Sequence, residues 1–412
     1  MRRWLGLIWG IWICGMLQAQ VLPGIEVLQQ DGFAPLEGKR VGLVTNPSGV
    51  DRQLRSTIDI LFEAPQVNLV ALYGPEHGVR GDVYAGDHVA DAVDPKTGLP
   101  VYSLYGASRE PSAQMLKGVD VMVYDIQDVG TRSYTFISTL GLVMRACAKA
   151  DIEVMVLDRP NPLGGLKVEG PYVQDGFYSF VSEFRIPYIY GLTVGELALL
   201  INSERLNRGQ KGIEEPLSCK LTVIPMRGWK RSMQYRDTGL PWILPSPNIP
   251  SEASAIGYPS AGIAGEIGHL NIGVGYTLPF QVFGATWIDA DALKARLDSY
   301  HLPGTAFRTI HYKPISGSLK GQLVHGVQFF YTNFEAATIT LTQFYVMQAA
   351  YELYPSHNPF PLASTRMLDI VCGTDYVRTT FGERLKVEDI VDYWNKDAQD
   401  FKALSQQYYL YR

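Results

Sequence analysis

Five short apolar runs, separated by amphipathic stretches, leave this chain few folds to choose from: VGLVTN (41–46), VNLVALYG (67–74), VDVMVYDIQ (119–127), IEVMVLDRP (152–160) and LTVIPM (221–226). Each is nearly continuous in Val, Leu, Ile and Met, without the polar alternation of a strand that faces water on one side. Strands covered on both faces read this way. Between them, 58–64, 112–117, 134–150 and 194–207 carry helix patterns. The alternation predicts an α/β domain: a Rossmann-like parallel sheet with helices on both faces.

At 240–260 a Pro-rich stretch interrupts this rhythm, and a Gly-rich one follows at 262–280. Together they read as a long, shaped functional loop. From about residue 287 the character changes to an α+β mixture, with helices expected around 342–354 and near 387–404. The expected division is a catalytic domain over 20–285 and a smaller auxiliary α+β domain over 286–412. A length of 412 residues, 46% of them apolar, gives each a core.

Residues 1–19 have the order of a secretory signal: Arg2 and Arg3, an apolar run at 4–17, then small and polar residues before Gln20. The run is shorter than the ~20 residues of a bilayer span. Export to the periplasm is expected, with no stable membrane insertion once the signal is removed. Cys14 raises lipidation, but the bulky Trp12 and Ile13 before it argue against that. A net charge of −5 without any Lys/Arg run offers nucleic acid no footprint. Cys147, Cys219 and Cys372 are odd in number and lack C-x-x-C spacing, so they imply neither a disulfide framework nor a zinc knuckle. His77, Asp82, Asp87 and His88 lie close in sequence but match no zinc spacing, and no metal is expected. No G-x-S-x-G elbow, P-loop or G-x-G-x-x-G occurs, so no serine nucleophile and no nucleotide cofactor is expected.

In a doubly wound sheet, ligands gather outside the carboxyl ends of the strands. Those positions here are Asn46; Glu76, His77 and Arg80; Asp125, Asp128 and Arg132; and Asp158, Arg159 and Asn161. Gly74-Pro75 and Gly78 fix a tight turn that holds Glu76 at a strand tip, where partial burial suits a carboxyl group to proton donation. The plainer alternative is that Glu76 caps a helix or pairs with Arg80. His77 orients that carboxylate, contacts substrate or satisfies backbone carbonyls. With metal, serine and nucleotide chemistry set aside, carboxylate chemistry on a hydroxyl-rich neutral substrate remains, and glycoside hydrolysis needs two carboxyl groups flanking one bond. Glu76, Asp125, Asp128, Asp158 and Glu266 are the candidates; for Asp125 and Asp128 the competing role is to hold the backbone of their own turn.

GPEHGVRG (74–81), DIQDVGTRSYTF (125–136), DRPNPLGG (158–165), SPNIP (246–250) and YYLY (408–411) together resemble the NamZ-type exo-β-N-acetylmuramidases, long known only as a domain of unknown function. The resemblance implies an active cleft in the Rossmann-like domain, an auxiliary C-terminal domain, and release of N-acetylmuramic acid from the non-reducing ends of peptidoglycan-derived muramyl saccharides. It carries the leading catalytic role onto Glu76. The family's Glu-Gly-Thr-Asn-x-Ser-x-Gly-Arg-Gly stretch corresponds here to 266–275, where Glu266 is kept, Val274 stands for the arginine, and His269 and Asn271 replace other polar groups. The expectation is therefore Glu76 as general acid, with Glu266 reaching in from the Gly-rich loop, or else Asp125, as its partner. Substrate contacts are expected from Asn46, Arg80, Asp128, Arg132, Asp158, Arg159, Asn161, Asn248, His269 and Asn271. A non-catalytic glycan-binding protein and an amidase or deacetylase on the same fragments are the competing classes.

Overall fold

The computed structural model describes residues 20–81, 92–106, 109–209, 211–360 and 366–412. The signal-like segment and Asp82, Asp87 and His88 lie outside the described residues.

The apolar runs become strands β1 (Arg40–Thr45), β2 (Asn68–Gly74), β5 (Val121–Asp125), β6 (Glu153–Leu157) and β7 (Leu221–Ile224). Two short strands not read from the sequence, β3 (Ala92–Val93) and β4 (Pro100–Ser103), extend the same sheet to seven strands in the order β3-β4-β2-β1-β5-β6-β7. All pairs are parallel except β3 with β4. Without β3 this is the doubly wound order 3-2-1-4-5-6, and the winding reverses between β1 and β5.

Both faces are covered, as the unbroken apolar runs require. Val41, Leu43, Val121 and Val123 pack with Ile25 and Leu28 of helix α1 (Gly24–Gln30) and with Ile58 and Leu61 of α2 (Thr57–Glu63). On the other face Val44, Met122, Tyr124 and Val156 pack with Leu140 and Val143 of α3 (Phe136–Lys149) and with Leu197 of α4 (Val194–Ser203). The helix expected at 112–117 is a run of turns instead.

The second unit holds an antiparallel sheet, β8 (Val282–Ala285), β10 (Val324–Tyr331) and β9 (Thr305–Tyr312), in that spatial order. Helix α6 (Ala290–Asp298) packs against β9, β10 and α7 (Thr342–Leu353). The closing helix expected near 387–404 is broken into Val391–Asn395 and Ala398–Ser405.

The largest departure from expectation lies at 240–280. Instead of one long loop, the chain forms the sixteen-residue helix α5 (Glu252–Ile267). Ser251 caps its start, accepting from the Ser254 N–H at 3.2 Å, and Gly268 ends it in the left-handed region at φ +76°. Pro259 sits inside it, and Gln343 of α7 bonds its backbone at both the Ala264 N–H and the Pro259 carbonyl. Gly257 serves close packing: a Cβ there would lie 2.2 Å from the Phe280 carbonyl oxygen. Helix α5 packs on α7 and on α8 (Arg366–Cys372), and β8 pairs with β10 in the second sheet. Among the described residues, no helix is long and apolar enough to cross a membrane.

Candidate active site

An elongated cleft lies where the carboxyl end of the large sheet meets α5. Its first lobe, about 300 Å³, is walled by Glu76, His77, Tyr134, Ser246 and Asn248. A second lobe of about 440 Å³ continues past His269, Asn271, Val274 and Trp287. Ser133, Tyr258, Glu266 and Phe280 line both and form the waist.

Glu76 reaches the first lobe from the tip of β2. Beyond that strand the Gly78 N–H donates to the Pro75 carbonyl at 3.1 Å, and His77 and Gly78 both have left-handed backbones, at φ +75° and +74°. For His77, 5% exposed, that conformation is a local cost the fold sustains at the cleft wall. Glu76 is half-buried and hydrogen-bonded to Tyr105, whose hydroxyl is raised from its ordinary range by burial and then by the Glu76 charge. Glu266 comes from the last turn of α5. Positions 258, 262 and 266 repeat every four residues, so Tyr258 and Glu266 share one helix face. The Glu266 side chain reaches water, yet the protein mass around it raises its carboxyl above the ordinary range. Between the glutamates stands the Tyr258 hydroxyl, pushed well up by burial and then by the charges of Glu266 and Glu76. It meets Ser133 Oγ at 3.3 Å, and Ser133 Oγ donates to Tyr188 at 3.0 Å.

Most of the charged strand-tip residues serve the scaffold. Asp125 is fully buried: Arg159 donates to it through Nε at 2.5 Å and Nη2 at 2.8 Å, and Thr57 donates to one of the same oxygens. Both Asp125 oxygens are engaged by these partners, and Asp125 is not among the residues that wall either lobe. Asp158, also fully buried, accepts from the Gly195 N–H at 2.8 Å, Thr193 at 2.7 Å and Tyr411 at 2.5 Å, which ties the chain's end to β6. Burial raises its carboxyl to about 7.

Asp128 lies behind the waist, bonded to Tyr190 and, at 2.7 Å, to the Gly130 N–H; burial raises it to about 6. Asn46 donates to the Pro245 carbonyl at 3.0 Å and so holds the loop that carries Asn248. Asn161 donates to the Leu192 carbonyl at 2.9 Å. Arg132 donates to the carbonyls of Pro171, Ile186 and Val371, linking the two units, and burial lowers it to about 10. Arg80 forks onto Asp94 at 2.9 and 3.0 Å. Asn271 lines the second lobe but spends its Oδ1 on the Gly273 N–H at 2.9 Å and Tyr312 at 2.7 Å; His269 is exposed beside it.

Sequence reading had missed Ser133, Tyr134, Tyr258, Phe280 and Trp287. Ser133 and Tyr134 lie inside the 125–136 motif as uncharged neighbours of its acids and Arg132, and the spacing that puts Tyr258 on one face with Glu266 is visible only once α5 is a helix. Among the described residues, no group of three or more His, Cys, Asp or Glu could hold a metal ion.

Family models for exo-β-N-acetylmuramidase NamZ match this architecture end to end, the N-terminal part over residues 41–253 and the C-terminal part over 256–411. The chain belongs to the NamZ family. It is 42% identical over 392 residues to the peptidoglycan β-N-acetylmuramidase NamZ of Bacillus subtilis, an alignment spanning 95% of this chain and 92% of the relative. A crystal structure of a DUF1343 family protein from Bacteroides fragilis superposes at TM-score 0.90 with 53% identity, covering 95% of this chain and 99% of that one. Another from the same organism gives 0.73 with 30% identity, over 96% and 99%. The two NamZ parts meet at the first turn of α5.

Proposed function

We propose that this protein is an exo-acting glycosidase that releases N-acetylmuramic acid from the non-reducing ends of peptidoglycan fragments, with Glu76 and Glu266 as its two catalytic carboxyl groups. One observation carries the reading: these glutamates, from the two units of the chain, are the carboxyl groups that wall a single cavity, and Tyr258 between them feels both. Cleaving a glycosidic bond takes such a pair, one giving a proton to the leaving oxygen and the other acting on the anomeric carbon or on water. Similarity to the Bacillus subtilis peptidoglycan β-N-acetylmuramidase supports the substrate class. The leader-like 1–19 supports action outside the cytoplasm, in the periplasm.

The surroundings raise the Glu266 carboxyl, which supports Glu266 as the proton donor, with Glu76, hydrogen-bonded to Tyr105, as its partner across the lobe. This reverses the assignment expected from sequence. The test compares a saccharide substrate with an activated aryl glycoside that needs no protonation. Glu266→Gln is expected to slow the saccharide by about 10²–10⁴ and the aryl glycoside far less. Glu76→Gln is expected to slow both. The opposite pattern would exchange the roles, and full activity in both variants would end the carboxylate reading.

A further inference from the structure

In the smaller sheet, His311 of β9 and His325 of β10 stand directly opposite one another. Their Nδ1 atoms lie 2.7 Å apart, with the rings edge to face at 74°. His311 is exposed and His325 half-buried, so the pair is open to water and to small solutes. Neither residue lines either lobe of the cleft.

At that separation the rings share one proton, one nitrogen donating and the other accepting. A divalent metal ion can take the place of that proton, because both nitrogen lone pairs then serve one centre. Neutral imidazole suits copper, nickel and zinc, whereas magnesium and calcium take oxygen ligands. Two nitrogens bound to a tetrahedral zinc ion at about 2.0–2.1 Å stand about 3.3 Å apart, so the rings need to open by only about 0.6 Å from 2.7 Å. Small rotations of two side chains at a water-exposed position supply that, while the antiparallel ladder of β9 and β10 keeps their Cα atoms in register.

The place of the pair gives it a mechanical consequence. It lies one rung from the end of the ladder, where Tyr312 pairs with Val324 and the loop 313–323 begins. In that loop Gly317, Ser318 and Leu319 wall the second lobe, and the Ile315 N–H donates to the Gly275 carbonyl at 2.7 Å. Beside His311, the Tyr312 hydroxyl donates to Asn271 Oδ1, also at 2.7 Å. We propose that His311 and His325 bind a divalent transition-metal ion of the copper, nickel and zinc class, and that the ion clamps the base of the hairpin that walls the second lobe. With two protein ligands, the remaining coordination positions go to water, which makes this an accessory site, unlike catalytic zinc centres with three protein ligands.

The test uses the mature protein without an affinity tag, stripped of metal by a chelator. Titration calorimetry with Cu²⁺, Ni²⁺, Zn²⁺ and Mg²⁺ is expected to show one tight ion per chain, tightest for Cu²⁺, and no binding of Mg²⁺. His311→Gln and His325→Gln should each weaken Zn²⁺ binding at least about tenfold, since either leaves one ligand where there were two. Both variants should keep the parental circular dichroism and metal-free melting temperature, and His269→Gln should keep the parental affinity. In the parent, Zn²⁺ should raise the melting temperature and slow amide hydrogen exchange across 311–325, and neither variant at the pair should respond. Affinity unchanged by both substitutions would put the ion elsewhere and overturn the site, as would failure of Cu²⁺, Ni²⁺ and Zn²⁺ to bind the folded parent. Binding that depends on both histidines without slower exchange overturns the clamp.

Discussion

At the scale of single residues, an ionisable side chain at a strand tip can serve the reaction or the scaffold, and the choice depends on what faces it across the fold. Asp125 and Glu76 follow apolar runs of the same kind, and in sequence both are carboxylates at the end of a buried strand. Asp125, however, meets Arg159, which lies 34 positions along the chain at the tip of the adjacent β6, and the ion pair is buried on both sides. No local pattern announces such a partnership. Glu76 has a half-buried carboxyl at a cavity wall because Gly78 and a left-handed His77 turn the chain there, and that turn was legible as Gly-Pro-Glu-His-Gly. The difference is testable. Asp125→Asn leaves the Arg159 guanidinium uncompensated in the interior and is expected to cost about 3–5 kcal/mol of stability. Urea denaturation should show that loss while kcat of the folded enzyme stays near that of the parent. A large drop in kcat at unchanged stability would give Asp125 a direct catalytic part after all.

At the scale of elements, α5 shows why local signals misled. Its sequence holds Pro259 and glycines at 257, 262 and 265, each a poor choice for a helix interior. What outweighs them is tertiary: the helix lies so close to the Phe280 backbone that only glycine fits at 257, and Gln343 supplies bonds to its backbone from α7. The ends were readable, since Ser251 and Gly268 are ordinary start and stop residues, but the breakers between them hid the helix. Function follows directly, because this helix holds Tyr258 and Glu266 on one face of the cleft. Gly257→Ala is therefore expected to push α5 away from Phe280, destabilising the protein by roughly 1–3 kcal/mol. Because the same shift moves Glu266, kcat should fall with stability, unlike the outcome for Asp125→Asn. Thermal melting and turnover measured on the same preparation check this, and parental values for both in the Gly257→Ala variant would mean the backbone yields without consequence.

At the scale of the whole molecule, the large sheet was legible because strands buried on both faces must be apolar throughout, and a parallel sheet layered between helices buries them so. The smaller sheet was not, since β9 alternates between buried and exposed positions and β8 is only four residues long. Nor could the sequence reveal how many acids the fold encloses. Glu183 is 1% exposed with no hydrogen-bond partner for either oxygen among the described residues, and burial raises its carboxyl to about 8; Asp158 at about 7 and Asp128 at about 6 follow the same cause. Each group binds its proton more tightly folded than unfolded, so its contribution is complete at acid pH and is lost as pH rises from the ordinary carboxyl range through the folded value. Asp94 and Asp120 act oppositely: their arginine partners lower both to about 2, and their contribution is lost only as pH falls toward that value. Stability is therefore expected to peak near pH 4–5 and to decline from pH 5 to 8, with Glu183 contributing a slope of up to about 1.4 kcal/mol per pH unit. Glu183→Gln cannot titrate, so its melting temperature should vary less between pH 5 and 8 and exceed that of the parent most clearly at pH 8. Parallel profiles for the two proteins would show that Glu183 is ionised in the folded state, with Arg145, the strongest attracting charge, holding it there.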